Sequence, residues 1–201
     1  MTERARADPS PPFVEWQTSS SHPYAIDWID LREVSGLHDA AEAGAALGMS
    51  FSPGKHHEHF LANHDRDLAA DIERIRAVHH VDALLLLVND GELAAMRIPT
   101  LPSDIAAAGI KLLRHPIPDF GVPADRAAFA ATIDDVLERL RAGQRVLVAC
   151  VAGFGRTGTV TAAVLCEVGL AAPEAIAMVR RTRPNTIERD VQVRFVEGWP
   201  G

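Results

Sequence analysis

Two continuous apolar runs, VDALLLLV (81–88) and RVLVAC (145–150), constrain the fold of this chain more than any other feature. Such runs are typical of strands that are buried on both faces of a parallel sheet. Further strands are expected in YAIDWID (24–30) and IKLLRHPI (110–117). Apolar residues at helical spacing predict helices at 65–80, 101–108, 124–141 and 173–181, one that ends at Gly169 and a last one from Glu188. Alternating strands and helices predict an α/β fold with a central, mainly parallel sheet flanked by helices.

Length and composition indicate a single domain with an appended arm. The chain has 201 residues, of which 47% are hydrophobic, enough to bury one substantial core. Residues 1–23 carry four prolines and the polar run TSSS, so they are interpreted as a flexible or loosely docked amino-terminal arm. The domain is then expected at 24–201.

Charge and cysteine content exclude several classes of protein. Twenty basic and 27 acidic side chains give a net charge of -7, which disfavours a nucleic-acid partner. No apolar stretch is long enough to cross a membrane, and the first residues lack the apolar core of a secretory signal. Two cysteines provide no disulfide framework, so a cytoplasmic location is expected.

The segment that follows the second apolar run combines a cysteine with an anion cradle. Cys150 ends the strand, Gly153 and Gly155 follow, and Arg156 comes six residues after the cysteine. Glycines allow successive N–H groups to point at one anion, and the amino terminus of the next helix adds partial positive charge. An arginine grips two phosphate oxygens, and a positive environment favours the reactive thiolate. The alternative is a buried cysteine that only packs.

Another motif occupies the same letters. Gly153, Gly155 and Gly158 spell G-x-G-x-x-G, the fingerprint of a dinucleotide-binding oxidoreductase. The segment that follows is helical instead of a second strand, and only about forty residues remain for the rest of a dinucleotide fold. This alternative is therefore the weaker one.

CVAGFGRT (150–157) resembles the C-x5-R-[S/T] signature of cysteine-dependent protein phosphatases, the tyrosine and dual-specificity group. The segments SPGK, RDLAADIERI, GELAAMRIPTL, HPIPDFGVP and RPNTIERDVQVRFV are similar, in the same order, to the group of cyclin-dependent-kinase-associated phosphatases. The resemblance covers roughly residues 45 to 197. It implies a protein-tyrosine-phosphatase-like fold of the dual-specificity type and a phosphatase that needs no cofactor and no metal.

The resemblance also implies roles for individual residues. Cys150 would attack phosphorus, and Asp119 would act as general acid and then as general base. Thr157 would donate its hydroxyl to the departing sulfur, or cap the helix, and Gln192 would position water, or lie exposed on the last helix. The residues that would bind the substrate phosphate are Val151, Ala152, Gly153, Phe154, Gly155 and Arg156. Phosphorylated proteins or small phosphate esters are the expected substrates.

Ala149 departs from the family pattern. The family usually has histidine immediately before the cysteine, where it helps to organise the loop and to favour the thiolate, so the resemblance predicts weaker catalysis here. A phosphate-binding module with little turnover is the main alternative, and sulfur transfer through a persulfide on Cys150 is a more distant one. The glycine- and histidine-rich stretch 48–60 is expected to be a loop. His56, His57, His59 and His64 are interpreted as part of a solvated loop instead of a metal site, and Cys166 as core packing.

Overall fold

The computed structural model of the protein describes residues 15–57 and 63–199. Over these residues the strands are β1 (Trp16–Gln17), β2 (Asp27–Trp28), β3 (Ala46–Phe51), β4 (His56–His57), β5 (Asn63–Asp65), β6 (Ala83–Leu86), β7 (Lys111–Arg114) and β8 (Arg145–Cys150). The helices are α1 (His38–Glu42), α2 (Leu68–Ala77), α3 (Asp90–Ala95), α4 (Leu101–Ala107), α5 (Arg126–Arg141), α6 (Gly155–Glu167), α7 (Ala172–Thr182) and α8 (Asp190–Glu197). Two short 3-10 helices occupy Leu31–Glu33 and Ser35–Leu37.

The central sheet has the strand order β2-β3-β8-β6-β7. Strands β3, β8, β6 and β7 are parallel, and β2 is an antiparallel edge strand. Leu84–Leu87 and Val146–Ala149 have no solvent exposure, as expected of central strands covered on both faces. The predicted α/β fold with a mainly parallel sheet is confirmed, and Cys150 lies at the carboxyl edge where the sites of such sheets occur.

Side-chain caps fix where the helices begin. Asp67 accepts a hydrogen bond from the Ala70 N–H at the start of α2, and Asp125 caps α5 in the same way. At α3 the cap is reciprocal, because Asn89 accepts from the Glu92 N–H while the Glu92 carboxylate accepts from the Asn89 N–H. The apolar face predicted for α5 is buried, at Phe129, Ile133, Val136, Leu137 and Leu140.

A second, three-stranded sheet in the order β1-β5-β4 lies beside the main one. In it, Trp16 and Gln17 pair with Asn63 and His64. Residues 15–23 fall within the predicted arm, and they pair with the body of the protein through this strand and through a hydrogen bond of 2.7 Å from Ser19 Oγ to Asp71. Residues 1–14 lie outside the described residues, and the division of the chain at residue 23 stays a prediction.

One expectation about secondary structure was wrong, and one helix was not predicted. The stretch 48–60 was expected to be a loop, but its first residues belong to β3, which pairs with β8 along its whole length, and His56–His57 form β4. The segment GMSF has too few apolar residues to predict a strand, yet it is buried because it lies between β2 and β8. Helix α3 was also missed, because six residues are too few to display a helical period. In the described part of the chain, no helix combines the length and apolarity needed to cross a membrane.

Candidate active site

Cys150 ends β8, with Phe51 of β3 as its neighbour across the sheet. The chain turns through residues 151–154, and α6 begins at Gly155. The Gly153 N–H points back at the sulfur, with 3.2 Å between the nitrogen and Cys150 Sγ. No side chain caps α6 at Phe154, so the first N–H groups of the helix are left for another acceptor. The loop and the helix end are thus arranged as a cradle for an anion would require.

Glycine is required at one position of this loop, and a second glycine packs closely against side chains. Gly153 has a φ of 77°, and a Cβ there would lie 2.6 Å from the Ser50 carbonyl oxygen. A Cβ on Gly155 would lie 2.7 Å from a Glu188 carboxylate oxygen and 2.9 Å from the Gln192 amide nitrogen. The loop therefore packs tightly against β3 on one side and against the start of α8 on the other.

Three successive carbonyls of the loop are bound by cations. Lys55 Nζ lies 3.0 Å from the Val151 oxygen. Arg183 donates to the next two carbonyls, at 3.3 Å for Ala152 and 2.7 Å for Gly153. The Arg183 guanidinium also pairs with Asp27 and lies over the ring of Phe154. With their carbonyls held by these cations, the loop peptides keep their N–H groups available on the side of the cysteine.

Arg156 is buried between two carboxylates. Its Nη1 donates to Glu92 Oε1 at 2.7 Å and to the Ile117 carbonyl at 3.0 Å, and its Nη2 lies 3.0 Å from Asp119 Oδ1. Burial lowers the pKa of this guanidinium, but Cys150, Glu92 and Asp119 outweigh burial, so the pKa is raised above its usual value. Arg156 therefore stays charged and fixed in direction, which suits a phosphate clamp.

Asp119 lies on the loop between β7 and α5 and is 60% exposed. It is followed by Phe120 in the left-handed region, with a φ of 56°, whose N–H lies 3.1 Å from the Asp119 carboxylate. Asp119, Arg156 and Cys150 all line one cleft of about 860 Å³. The structure therefore brings together the three side chains that the sequence identified as nucleophile, clamp and acid.

Gln192 and Thr157 are both buried. Gln192 is not the exposed surface residue of the alternative interpretation, because it has no solvent exposure and donates to the Gly121 carbonyl at 3.2 Å. It therefore ties α8 to the loop that carries Asp119. The Thr157 hydroxyl has no hydrogen-bond partner among the described residues, so it neither caps α6 nor bonds the sulfur in this structure.

Three side chains of the site were not predicted from the sequence: Lys55, Glu92 and Arg183. Their segments were used only to establish a resemblance. Glu92 had a readable signal, since Asn89 and Glu92 have the spacing of a capping box after an apolar strand. Lys55 and Arg183 had none, because their partners are backbone carbonyls nearly one hundred and about thirty residues away.

The histidines of residues 55–65 have different environments. His56 pairs with Asp65 at 2.6 Å, and His57 and His64 line the cleft. His64 is buried, so the expectation of a solvated loop was wrong for this residue. His59 lies outside the described residues. Within residues 15–57 and 63–199, no group of three or more side chains is placed to hold a metal ion.

Cys166 differs from Cys150 in its surroundings. It lies in the buried face of α6, where burial, with a smaller contribution from Glu167, raises the pKa of its thiol to about 11. Its thiol therefore stays protonated at neutral pH, in keeping with the expected packing role.

The parallel sheet, the loop from Cys150 to Arg156 and the helix that follows define the class of cysteine-dependent protein phosphatases. Within that class, the chain belongs to the family described as Cyclin-dependent kinase inhibitor 3 (CDKN3), whose model matches residues 13–176.

Solved structures agree with this fold. A kinase associated phosphatase (KAP), with serine in place of its catalytic-site cysteine, superimposes with a TM-score of 0.73 and 22% identity over 87% of this chain and 92% of that one. Tk-PTP in its active form superimposes with a TM-score of 0.58 and 28% identity, over 76% of this chain and 90% of that one. PTPMT1 in complex with PI(5)P superimposes with a TM-score of 0.60 and 20% identity, over 77% of this chain and 88% of that one. The predicted protein-tyrosine-phosphatase-like architecture is confirmed.

Proposed function

We propose that this protein hydrolyses phosphate monoesters through a phosphocysteine intermediate, with Cys150 as nucleophile, Arg156 as phosphate clamp and Asp119 as general acid and base. The observation that carries the proposal is the meeting of these three side chains in one cleft, with Asp119 3.0 Å from the guanidinium of Arg156. An acid held at the phosphate clamp has no use in a module that only binds phosphate.

In the first step, a phosphate takes the place of the Asp119 carboxylate on Arg156 and receives the N–H groups of the loop. The Cys150 thiolate attacks phosphorus, a P–S bond forms and the P–O bond to the leaving group breaks. Protonated Asp119 gives its proton to the leaving oxygen. Asp119 can reach that oxygen because its loop is exposed at the mouth of the cleft.

In the second step, Asp119 is a carboxylate and takes a proton from water as the water attacks phosphorus. The P–S bond breaks and inorganic phosphate leaves with the added oxygen. Gln192 supports this step from α8, beside Gly155 and the Asp119 loop. The Thr157 hydroxyl is buried near the start of α6 and has no partner within residues 15–57 and 63–199, and we assign it to the departing sulfur.

Phosphorylated proteins are the proposed substrates, with phosphotyrosine first and phosphoserine and phosphothreonine also admitted. Phe120 is half exposed and lines the cleft, where it offers an apolar surface to an aromatic leaving group. The kinase associated phosphatase that superimposes on this chain favours the same class. A cytoplasmic location remains part of this proposal.

The test is hydrolysis of a small aryl phosphate from pH 5 to 9, with acid-quenched trapping of labelled phosphoenzyme. Replacing Cys150 by serine is expected to lower turnover by more than about a thousandfold and to abolish the trapped intermediate. Cys166→Ala is the matched control, because Cys166 packs in α6, and it is expected to keep the activity of the parent protein.

Two outcomes would overturn the proposal. If Cys150→Ser and the parent protein had equal turnover, Cys150 would be excluded as the nucleophile. No turnover in the parent, with orthovanadate still bound, would indicate a phosphate-binding module.

A further inference from the structure

Lys55 is one of only two lysines in the chain, and it is buried at the base of the cleft. Its side chain is 3% exposed, and its ammonium lies 4.6 Å from the centre of the Phe51 ring. Its one hydrogen bond to a described residue goes to the carbonyl of Val151, the first peptide after the nucleophile. A buried ammonium in this position requires an explanation, since lysine is rarely buried without a partner of opposite charge.

No such partner is found in the described part of the chain. No carboxylate there lies within 4.0 Å of the Lys55 ammonium. The groups whose charges act on the pKa of Lys55 are Cys150, Arg183 and Arg66. The cleft that Lys55 lines also contains further charged or titratable side chains: His57, His64, Glu92, Asp119, Arg156, Glu188 and Arg189. Burial, aided by the two arginines, lowers the pKa of Lys55 to about 7, while Cys150 acts in the opposite direction. Among the described residues, Cys150 is the one acidic group that acts on the pKa of Lys55, and the carboxylates of Glu92 and Asp119 are bound to Arg156. We therefore assign the balancing negative charge to the Cys150 thiolate and a bound phosphate.

We propose that Lys55 is a positioning residue of the phosphate cradle, which holds the Val151 carbonyl away from the substrate and places positive charge beside the Cys150 sulfur. The inference rests on the proposed function, since it names a further group that serves the same nucleophile. It stands on the contact with Val151, on the burial of the ammonium and on its place in the cleft.

Ala149, the residue before Cys150, can neither hold the loop carbonyls nor stabilise the thiolate. Ala149 is fully buried in β8, and its methyl group offers the loop neither a hydrogen-bond donor nor a charge. Lys55 and Arg183 supply the donors instead, from segments that are distant in sequence and adjacent in space. In the mechanism, the ammonium stabilises the thiolate both before attack and when the sulfur departs.

The experiment compares Lys55→Met with Lys111→Met, the same change at the exposed lysine of β7. The first readout is kcat and KM for a small aryl phosphate from pH 5 to 9. The second is the rate of Cys150 alkylation by iodoacetamide over the same range, since Cys166 stays protonated there. Lys55→Met is expected to lower kcat about a hundredfold, the usual loss for one preorganised donor at a reacting group. Its alkylation profile is expected to move to higher pH.

Two further variants separate charge from hydrogen bonding. Lys55→Arg keeps both the positive charge and a hydrogen-bond donor, and its kcat is expected to be at least about tenfold higher than that of Lys55→Met. Its activity is expected to persist to higher pH, because arginine stays charged. Lys55→Gln keeps a donor for Val151 without the charge, and its alkylation profile is expected to match that of Lys55→Met. If Lys55→Met does not fold, the glutamine variant decides the question.

Thermal unfolding supplies a readout that a merely structural lysine would move the other way. The pKa of Lys55 is lowered on folding from 10.5 to about 7, so the unfolded chain binds more protons between these values. The stability of the parent therefore rises with pH across that interval, and Lys55→Met lacks this rise. Below pH 7 the variant is expected to be at least as stable as the parent, although it is less active.

The proposal is overturned if folded Lys55→Met or Lys55→Gln matches Lys111→Met in both kcat and alkylation profile. Failure of the proposed function gives a different result. In that case the parent shows no turnover that depends on Cys150, while the alkylation profile still reports whether Lys55 acts on the thiol.

Discussion

Two buried arginines, Arg66 and Arg156, are each bound to carboxylates in this protein, and they serve opposite purposes. Arg66 follows β5 and forms two hydrogen bonds with Asp71, at 2.7 and 2.8 Å, while its third nitrogen donates to the His22 carbonyl. Both members of the Arg66–Asp71 pair are 1% exposed. Arg156 is equally buried, but its partners Glu92 and Asp119 are 20% and 60% exposed.

The difference lies in whether a partner can be exchanged. Asp71 also accepts from Ser19 and from the Gly54 N–H, so its oxygens are fully used in joining the amino-terminal segment to the loop before Lys55. Asp119 lies on an exposed loop, and in the proposed mechanism it leaves Arg156 when a phosphate arrives. A buried arginine is thus a structural tie where its acceptors are enclosed, and a binding group where one acceptor faces an open cleft.

The same substitution at both arginines tests this comparison, and the larger effect on activity is expected at Arg156. Arg156→Lys keeps the charge but loses the planar fork that binds two oxygens. We expect kcat/KM for an aryl phosphate to fall by more than about a hundredfold. The free energy of unfolding should fall by about 1 kcal/mol, since the Ile117 carbonyl can lose its donor. Steady-state kinetics and urea unfolding measure the two quantities. Activity within threefold of the parent would show that Arg156 is a structural tie.

Arg66→Lys is expected to have the reverse effect. A lysine cannot make both bonds to Asp71 and also reach the His22 carbonyl, so buried acceptors lose their donors. We expect the free energy of unfolding to fall by about 2 kcal/mol, the cost of losing a hydrogen bond to a buried charged group. In the folded variant, kcat/KM should stay within threefold of the parent. A fall as large as that of Arg156→Lys, without a loss of stability, would contradict the division between the two arginines.

The smallest change is made at the exchangeable partner itself. Asp119→Asn keeps the shape of the side chain but removes its proton transfer, so we expect kcat to fall about a hundredfold for an alkyl phosphate. The fall should be smaller for a nitrophenyl ester, whose leaving group needs no proton. Kinetics across a series of leaving groups measures this trend. Asp134→Asn on the exposed face of α5 is the control, and equal losses for good and poor leaving groups would argue against an acid role.

The predictable parts of the molecule were those with local signals. The runs 81–88 and 145–150 are apolar enough to require burial on both faces, and they form adjacent central strands β6 and β8. The loop after Cys150 was readable because its glycines and arginine are close in sequence. Asp119 was found only through the family resemblance, since an aspartate between prolines is ordinarily a turn residue.

Other parts carried no local signal. Strand β3 is central because β2 and β8 cover its edges, although GMSF does not look like a strand. Glu92 reaches Arg156 across 64 positions of the chain, and Arg183 reaches the loop from the end of α7. Such contacts depend on how helices and strands pack together, and no single segment of the sequence predicts that packing.

By itself, then, the sequence determined the parallel sheet, the position of Cys150 at the end of a strand and the glycine-containing loop that follows it. Hydrophobic periodicity and short-range backbone geometry decide these features locally. Only the tertiary structure decided which distant side chains surround Cys150. Lys55 and Arg183 meet the carbonyls of the loop there, and Glu92 meets Arg156, because buried polar groups need hydrogen-bond partners and the fold selects which ones meet.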